Sequence, residues 1–339
     1  MQNGSKLEDP QPLVSIVIPC YNAARTIARA IQSALEQDYK TLEIIVADDG
    51  STDSTREVVC QFQDPRIILV PSSVNSGAAA ARNRALDRAA GTYVAFLDAD
   101  DAWLPSKIST QVRLMEEHPN ARIATCDCLF FDTEGRPKHT FFQRRTPYAG
   151  ENAWRVLLAY NFVGTSAVLT RRTDVMGLGG FSEALPTAED QDLWIRLAAL
   201  GELVFTPEVL VHYYNQPASL SNRYREYEPF LLLSMIGQHL RHQAYRLQEG
   251  QIRSIWGQRL FDIAANLYQN KEYGLSAPLF WQSVRCGFRP FKSLVNVGRA
   301  AAHGIFRRHG NLNARVWRDG ASRAALPLRL EAVEAMQKG

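Results

Sequence analysis

Three carboxylates close one apolar run. Residues 93–97, Tyr-Val-Ala-Phe-Leu, read as a buried strand, and Asp98, Asp100 and Asp101 follow it directly. Negative charge at a buried strand end is costly unless a cation or a donor ligand compensates it. Asp98 and Asp100 form a D-x-D pair, which can aim two carboxylates at one hard cation such as Mg2+ or Mn2+. The competing reading is an acidic turn in which Asp101 caps a helix beginning near Pro105.

Four other groups carry possible chemistry. Asp48-Asp49-Gly50-Ser51 follows an apolar run at 42–47, where a carboxylate can accept the N3–H of uracil and glycine lets the chain turn closely beside it. A simple Asx turn, with Asp53 capping the next helix, fits the same residues. Asn75-x-Gly77 precedes four alanines and then Arg82-Asn83, and an arginine near a helix N-terminus suits a diphosphate. The alternative is a closely packed helix with a solvated arginine. Glu189-Asp190 opens a helix: either acid is a candidate general base if desolvated, or both balance the helix dipole while Asp192 pairs with Arg196. His212, Gln216 and Ser219 lie past the last strand, and His212 is a possible third metal ligand or a packed ring beside Tyr213 and Tyr214.

The elements that must position these groups alternate at short intervals. Strands are expected at 13–19, 42–47, 66–70 and 93–97, with helices at 23–36, 54–62, 78–89 and 105–117 between and after them. This predicts an α/β fold with a doubly wound, mostly parallel sheet and helices on both faces. Further strands are expected at 122–131, 163–169, 203–205 and 209–214, and a helix at 190–200. From about residue 225 the pattern is helical only, at 229–246, 251–269, 274–286 and 290–307. The expected division is a disordered lead-in at 1–12, an α/β domain at 13–224, a helical region at 225–310 and a basic, weakly structured tail at 311–339. No G-x-G-x-x-G or G-x-x-x-x-G-K-[ST] follows a strand, which argues against a dinucleotide-binding enzyme and a P-loop NTPase.

Of the 339 residues, 46% are hydrophobic and 22% charged, an ordinary globular balance. No apolar run is long enough to span a bilayer, and the first twelve residues resemble neither a signal nor a transit peptide. Five scattered cysteines make no disulfide framework and no zinc site, so a cytoplasmic setting is expected. The net charge of +3 is uneven. Residues 280–339 hold eleven Lys/Arg against Asp319, Glu331 and Glu334, leaving the remainder acidic. Such a tail suits an anionic partner, above all a phospholipid surface. Within 290–307, Lys292, Arg299 and His303 share one helical face, and Leu294, Val297, Ala301 and Ile305 another. Packing on the domain with a solvated basic face is the alternative to membrane contact.

Taken together, the blocks from Val14 to Asn22, from Ala47 to Asp53, from Asn75 to Asn83, from Phe96 to Asp101, and Glu189-Asp190 resemble, in order and spacing, the family 2 glycosyltransferases with the GT-A fold. The resemblance covers roughly residues 12–221. It implies an inverting, non-processive transfer from a nucleotide-sugar held with Mn2+ or Mg2+. By motif position, Pro19, Tyr21 and Asp49 would contact the base, Arg82 the base or diphosphate side, Asp98 the ribose and Asp100 the metal. Asp190 would be the base and Glu189 would lie near the acceptor. Relatives often carry a histidine where this chain has Gln216, which leaves His212 as the fallback third ligand. The Q-x-x-R-W block and membrane helices of processive synthases are missing. The implied role is in cell-surface polysaccharide, lipopolysaccharide or glycolipid synthesis, with a glycan or lipid-linked acceptor and no nucleic acid. A sugar nucleotidyltransferase would want a Gly-rich, basic loop after the first strand, where Pro19-Cys-Tyr-Asn22 stands instead. A non-catalytic nucleotide- or glycan-binding relative would lack Asp100 or Asp190, and both are present.

Overall fold

The computed structural model describes residues 11–215 and 228–305. Most of the lead-in, the whole tail beyond residue 310, Gln216 and Ser219 lie outside them. The chain forms two compact units, one of residues 1–153 and 162–219, the other of 154–161 and 220–339.

The first unit is built on a nine-stranded sheet. Its first half is β1 (Val14–Cys20), β2 (Leu42–Asp48), β3 (Ile67–Pro71) and β4 (Tyr93–Phe96), in the order β3-β2-β1-β4. β1 and β4 are buried along their whole length, as near-continuous apolar runs in a sheet covered on both faces must be. β1 pairs in parallel with both β2 and β4, so Cys20, Asp48 and the residues after Phe96 end at one edge. The order reverses between β1 and β4, and such a switch point opens a crevice at the strands' carboxyl ends.

The second half of the sheet is mixed, which departs from the mostly parallel expectation. It contains β5 (Ala102–Trp103), β6 (Ala121–Phe131), β7 (Pro137–Thr140), β8 (Leu169–Arg171) and β9 (Glu202–Tyr214). β8 is antiparallel to β4 and β6, and β5 is antiparallel to β9, while β6 and β9 run parallel with register shifts. The strand expected at 163–169 is a 3₁₀ turn, Thr165–Ala167, followed by the short β8. An apolar run of that length fits either state, and side-chain bonds from Thr165 and Ser166 fix the turn. The two strands expected near 203–214 are one bulged strand, β9.

Helices α1 (Ile27–Leu35), α2 (Thr55–Cys60), α3 (Ala78–Arg88) and α4 (Lys107–Glu117) flank the sheet. The alanine run explains the seat of α3: Ala79, Ala80, Ala81 and Ala85 are buried, and their small side chains bring the helix close to β1 and β2. Shorter helices α5 (Phe141–Arg144), α6 (Ala153–Ala159) and α7 (Arg172–Gly177) precede α8 (Glu189–Ala198). Phe96 on β4, Phe181 and Trp194 on α8 form an aromatic triad with centroids 5.1–5.9 Å apart, which fixes the start of α8 near the end of β4.

The second unit contains α9 (Glu228–His242), α10 (Glu249–Gln269), α11 (Tyr273–Arg285) and α12 (Pro290–Ile305), which match the four expected helices within the described residues. The buried Arg259 of α10 donates to the Leu157 and Leu158 carbonyls of α6, satisfying acceptors that a helix end leaves open. Among the described side chains of α12 the buried positions are Ser293 and Ala300, whereas Leu294 is 46% and Val295 38% exposed. Leu294, placed by spacing on the apolar face of this helix, is therefore exposed. Among the described residues, no helix is long and apolar enough to cross a membrane.

Candidate active site

The three strand ends deliver the sequence-derived residues to one edge. Pro19 is buried in β1 opposite Ala47, and Tyr21, just beyond, is 43% exposed. Asn22 adopts a left-handed conformation, and its Oδ1 accepts from the Thr52 and Asp53 amides, which ties the β1 and β2 loops together. The thiol of Cys20 is pushed up to about 12 by burial and by Asp48, so it is no nucleophile.

The two aspartates after β2 have separate partners. Asp48 is fully buried and accepts from Arg56 Nε at 2.6 Å. Asp49 accepts from the Gly77 amide at 2.7 Å, the Ser76 amide and Arg84 Nη2 at 2.7 Å. Its carboxylate thus holds the turn that starts α3, with the Ser76 amide shared between its two oxygens. Gly50 has φ +77, and a Cβ there would lie 2.8 Å from the Val74 carbonyl carbon and 2.9 Å from the Asn75 nitrogen. Gly50→Ala should cost on the order of 2 kcal/mol, from left-handed strain plus this backbone clash. Thermal unfolding checks this, and an unchanged midpoint would mean the 74–75 segment moves aside freely.

Arg82 lies inside the site, 4% exposed, where a solvated arginine was one expectation. Its Nη1 donates to Glu189 Oε1 at 2.6 Å and its Nη2 to Asp98 Oδ1 at 2.7 Å, with the Phe181 ring 5.2 Å away. Burial alone would lower the guanidinium, but Asp98 and Glu189 outweigh it and hold the pKa above the ordinary arginine value. Arg82 therefore bridges the end of β4 and the start of α8. This link went unseen in the sequence, where Glu189 lies 107 residues from Arg82.

The D-x-D-D stretch splits three ways. Asp98 faces Arg82, and its amide meets Ser166 Oγ at 3.1 Å. The Asp100 carboxyl is raised to about 6, by burial first and by Asp98 second. Asp101 is not a helix cap, which corrects the bland reading: α4 begins after Ser106 with no side-chain cap. Instead Asp101 is fully buried, accepting from Ser166 Oγ at 2.5 Å and from the Tyr214 amide at 3.3 Å. Its pKa is held well above the usual range by burial, with Asp100 and Asp98 adding to the effect.

Asp190 follows Glu189 in the first turn of α8, which starts from Ala188 in a strained left-handed conformation (φ 62). Asp190 accepts from Thr165 Oγ1 at 2.8 Å and from the Gln191 amide at 2.6 Å. Burial and the neighbouring Glu189 raise its carboxyl to about 6. A base tuned to that range is deprotonated at neutral pH yet holds a transferred proton better than an ordinary aspartate. Asp192 pairs with Arg196 at 2.6 Å, as its i,i+4 spacing predicts.

His212 pairs in register with Ala102, and its ring packs on Phe131 and Tyr214. Among the described residues, no group of three His, Cys, Asp or Glu is arranged to hold a metal, so His212 does not complete a triad with Asp98 and Asp100. The carboxyl chemistry still fits a divalent cation. A carboxyl raised by burial and by a neighbouring carboxylate, as Asp100 is, is what a bound cation relieves.

Sequence reasoning also passed over Lys107. It is fully buried, with Nζ 3.9 Å above the Trp103 ring and 3.2 Å from the Val168 carbonyl oxygen, and burial lowers it to about 7. A lysine in the first turn of a helix gives no sign in sequence that it faces the core.

These raised carboxyls set opposite pH trends. The folded state binds protons at Asp100 and Asp190 more tightly than the unfolded chain does, so their stability contribution is present at low pH and is lost as pH rises through about 6. Activity should move the other way, rising through the same window as Asp190 loses its proton. Parallel thermal-unfolding and rate profiles from pH 5 to 7.5, without added metal for the former, check the pair. Curves that rise together would contradict the assignment.

Comparison with known proteins gives the family and the fold. The model of the family described as Glycosyl transferase family 2 matches residues 15–174. The chain is 34% identical over 218 residues to UDP-Glc:alpha-D-GlcNAc-diphosphoundecaprenol beta-1,3-glucosyltransferase WfaP of Escherichia coli, covering 63% of this chain and 82% of that protein. Its fold is similar to that of TarS from S. aureus, with TM-score 0.60 at 18% identity over 91% of each chain. It is also similar to the mannosyltransferase PcManGT from Pyrobaculum calidifontis, solved with GDP-Man and Mn2+, with TM-score 0.57 at 21% identity over 93% of this chain and 81% of that one. The chain belongs to glycosyl transferase family 2. It is a glycosyltransferase with the GT-A fold, which sets aside the sugar nucleotidyltransferase and the non-catalytic relative.

Proposed function

We propose that this enzyme transfers a sugar from a UDP-sugar to a sugar carried on a lipid diphosphate, with inversion, in cell-surface polysaccharide synthesis. The observation that carries the reading is the convergence of Asp98 and Glu189 on one buried arginine, with Asp190 next to Glu189 in sequence, at the switch point of the sheet. The UDP-linked donor and the lipid-linked acceptor are those named for WfaP.

In this reading Tyr21, Pro19 and Asp49 take the base and Asp98 the ribose, while Arg82 holds Asp98 and Glu189 in place beside the donor. Asp100 would hold a divalent cation, by analogy with the Mn2+ of the PcManGT complex. When bound, the cation supplies positive charge against the leaving diphosphate. Asp190, fixed by Thr165 and the Gln191 amide, takes the proton of the acceptor hydroxyl, and Glu189 lies on the acceptor side. The acceptor oxygen forms its bond to the anomeric carbon as the bond to the diphosphate oxygen breaks, and that electron pair leaves with the nucleotide. The domain reading is likewise a proposal: residues 13–224 carry the reaction, and the helical and basic part from 225 onward serves the acceptor or an anionic membrane surface at the inner face. Exposed Leu294 and Val295 on α12 support the second role.

The test is a donor screen. UDP-, GDP- and dTDP-sugars are compared by thermal shift and by transfer with Mn2+. Stabilisation and transfer with a UDP-sugar are expected; a response to GDP-sugars alone would replace the donor assignment.

A further inference from the structure

Arg29 stands outside the roles assigned so far. It is exposed on α1, yet its guanidinium is not free to wander. The guanidinium carbon lies 3.7 Å from the Tyr214 ring centroid, and Nη2 donates to the backbone carbonyl of Asp100. Tyr214 is itself fixed, because its ring stacks on Phe131 at 4.9 Å and 18° and its amide is bound by Asp101. Phe131, Tyr214 and Arg29 thus form three layers ending beside the D-x-D pair.

Such a setting would ordinarily pull an arginine onto a carboxylate. Arg29 instead binds a carbonyl, and among the described residues its guanidinium forms no ion pair. One donor of five is used, so the rest of the planar fork is available to a ligand. Its charge is felt at the site: it partly offsets the rise that burial and Asp98 impose on Asp100, and it adds to burial in lowering His212. An exposed, pre-oriented guanidinium with spare donors next to a cation-facing aspartate matches the oxygens of a diphosphate, which it can grip in bidentate fashion.

We propose that Arg29 is a diphosphate-binding residue, held by the Tyr214 face and the Asp100 carbonyl so that its remaining donors meet phosphate oxygens at the transfer site. The inference rests on the donor and acceptor reading above, in which both substrates carry a diphosphate. The shared chemistry is the diphosphate, and the experiment separates its two sources.

Calorimetric titrations with Mn2+ would compare wild type, Arg29→Met and Arg29→Lys against UDP, uridine and farnesyl diphosphate. Methionine keeps an apolar stem over Tyr214 and removes the charge; lysine keeps the charge without the fork. Arg29→Met should weaken one diphosphate about ten- to a hundredfold, the loss expected for a charge-assisted hydrogen bond, while uridine binding stays level. Arg29→Lys should recover part of the loss. Loss confined to UDP assigns Arg29 to the donor, and loss confined to farnesyl diphosphate assigns it to the acceptor. Unchanged affinity for both, or equal weakening of uridine, overturns the proposal and leaves the donor reading intact. Wild type that binds neither diphosphate overturns that reading and this inference together.

Discussion

Asp190→Asn should lower transfer by on the order of 10²–10⁴-fold while leaving nucleotide-sugar affinity within about twofold, because general-base assistance is of that size and the donor contacts lie elsewhere. The substitution is nearly isosteric. Thr165 Oγ1 can still donate to the remaining amide oxygen, although the bond from the Gln191 amide loses its acceptor if the side-chain NH2 takes that position. It also removes a carboxyl that burial and Glu189 hold at about 6, so the folded state loses an electrostatic penalty at neutral pH. Stability should therefore change little. Single-turnover rates, measured beside donor titrations, check the split. A variant with wild-type turnover would remove Asp190 from the reaction, and one that lost donor binding in proportion would recast it as a binding residue.

Arg82→Met should destabilise the fold by about 3–5 kcal/mol, the cost of leaving buried carboxylates without their cation. Methionine fills much of the aliphatic stem against Phe181, so the loss comes mainly from charge. Glu189 and Asp98 would then face one another across the gap, and Arg82→Met combined with Glu189→Gln should regain part of the stability. Denaturant titration at pH 7.5 and again at pH 5 tests the cause, since protonation of the stranded carboxyls should shrink the deficit at the lower pH. A deficit that is the same at both values would point to lost packing instead.

The clearest parts of the fold in the sequence were those where a local pattern and the tertiary structure agree. The apolar runs that become β2 and β4 stop at Asp48-Asp49 and Asp98, so strand and site were marked there by the same change of residue type. The four alanines announced a helix that packs closely, and α3 does so. The motif residues also gather in space around the β1–β4 switch, and the role given to each of them is a proposal.

What escaped the sequence depends on distant partners. Asp101 looks like a cap because Pro105 is near in sequence, whereas its true partners, Ser166 and the Tyr214 amide, lie 65 and 113 residues away. Arg82 was placed beside the donor, but its carboxylate partners on two other elements went unseen because nothing near it in sequence reveals them. The antiparallel insertion of β8 between β4 and β6, and the two-residue β5 against β9, follow from pairing geometry that a periodicity cannot express. Trp154 and the rest of 154–161 join the second unit although they sit in the middle of the first in sequence.

The most direct test of the account is the configuration of the product. Wild type, Mn2+ and a UDP-α-sugar chosen by the screen are given a GlcNAc-diphospholipid acceptor, and the new glycosidic linkage is read by proton NMR. A β-linked product that forms at a rate rising through about pH 6, and that fails to form with Asp190→Asn, is the predicted result. An α-linked product, or a β-linked product formed equally well by the variant, would contradict single displacement with Asp190 as base.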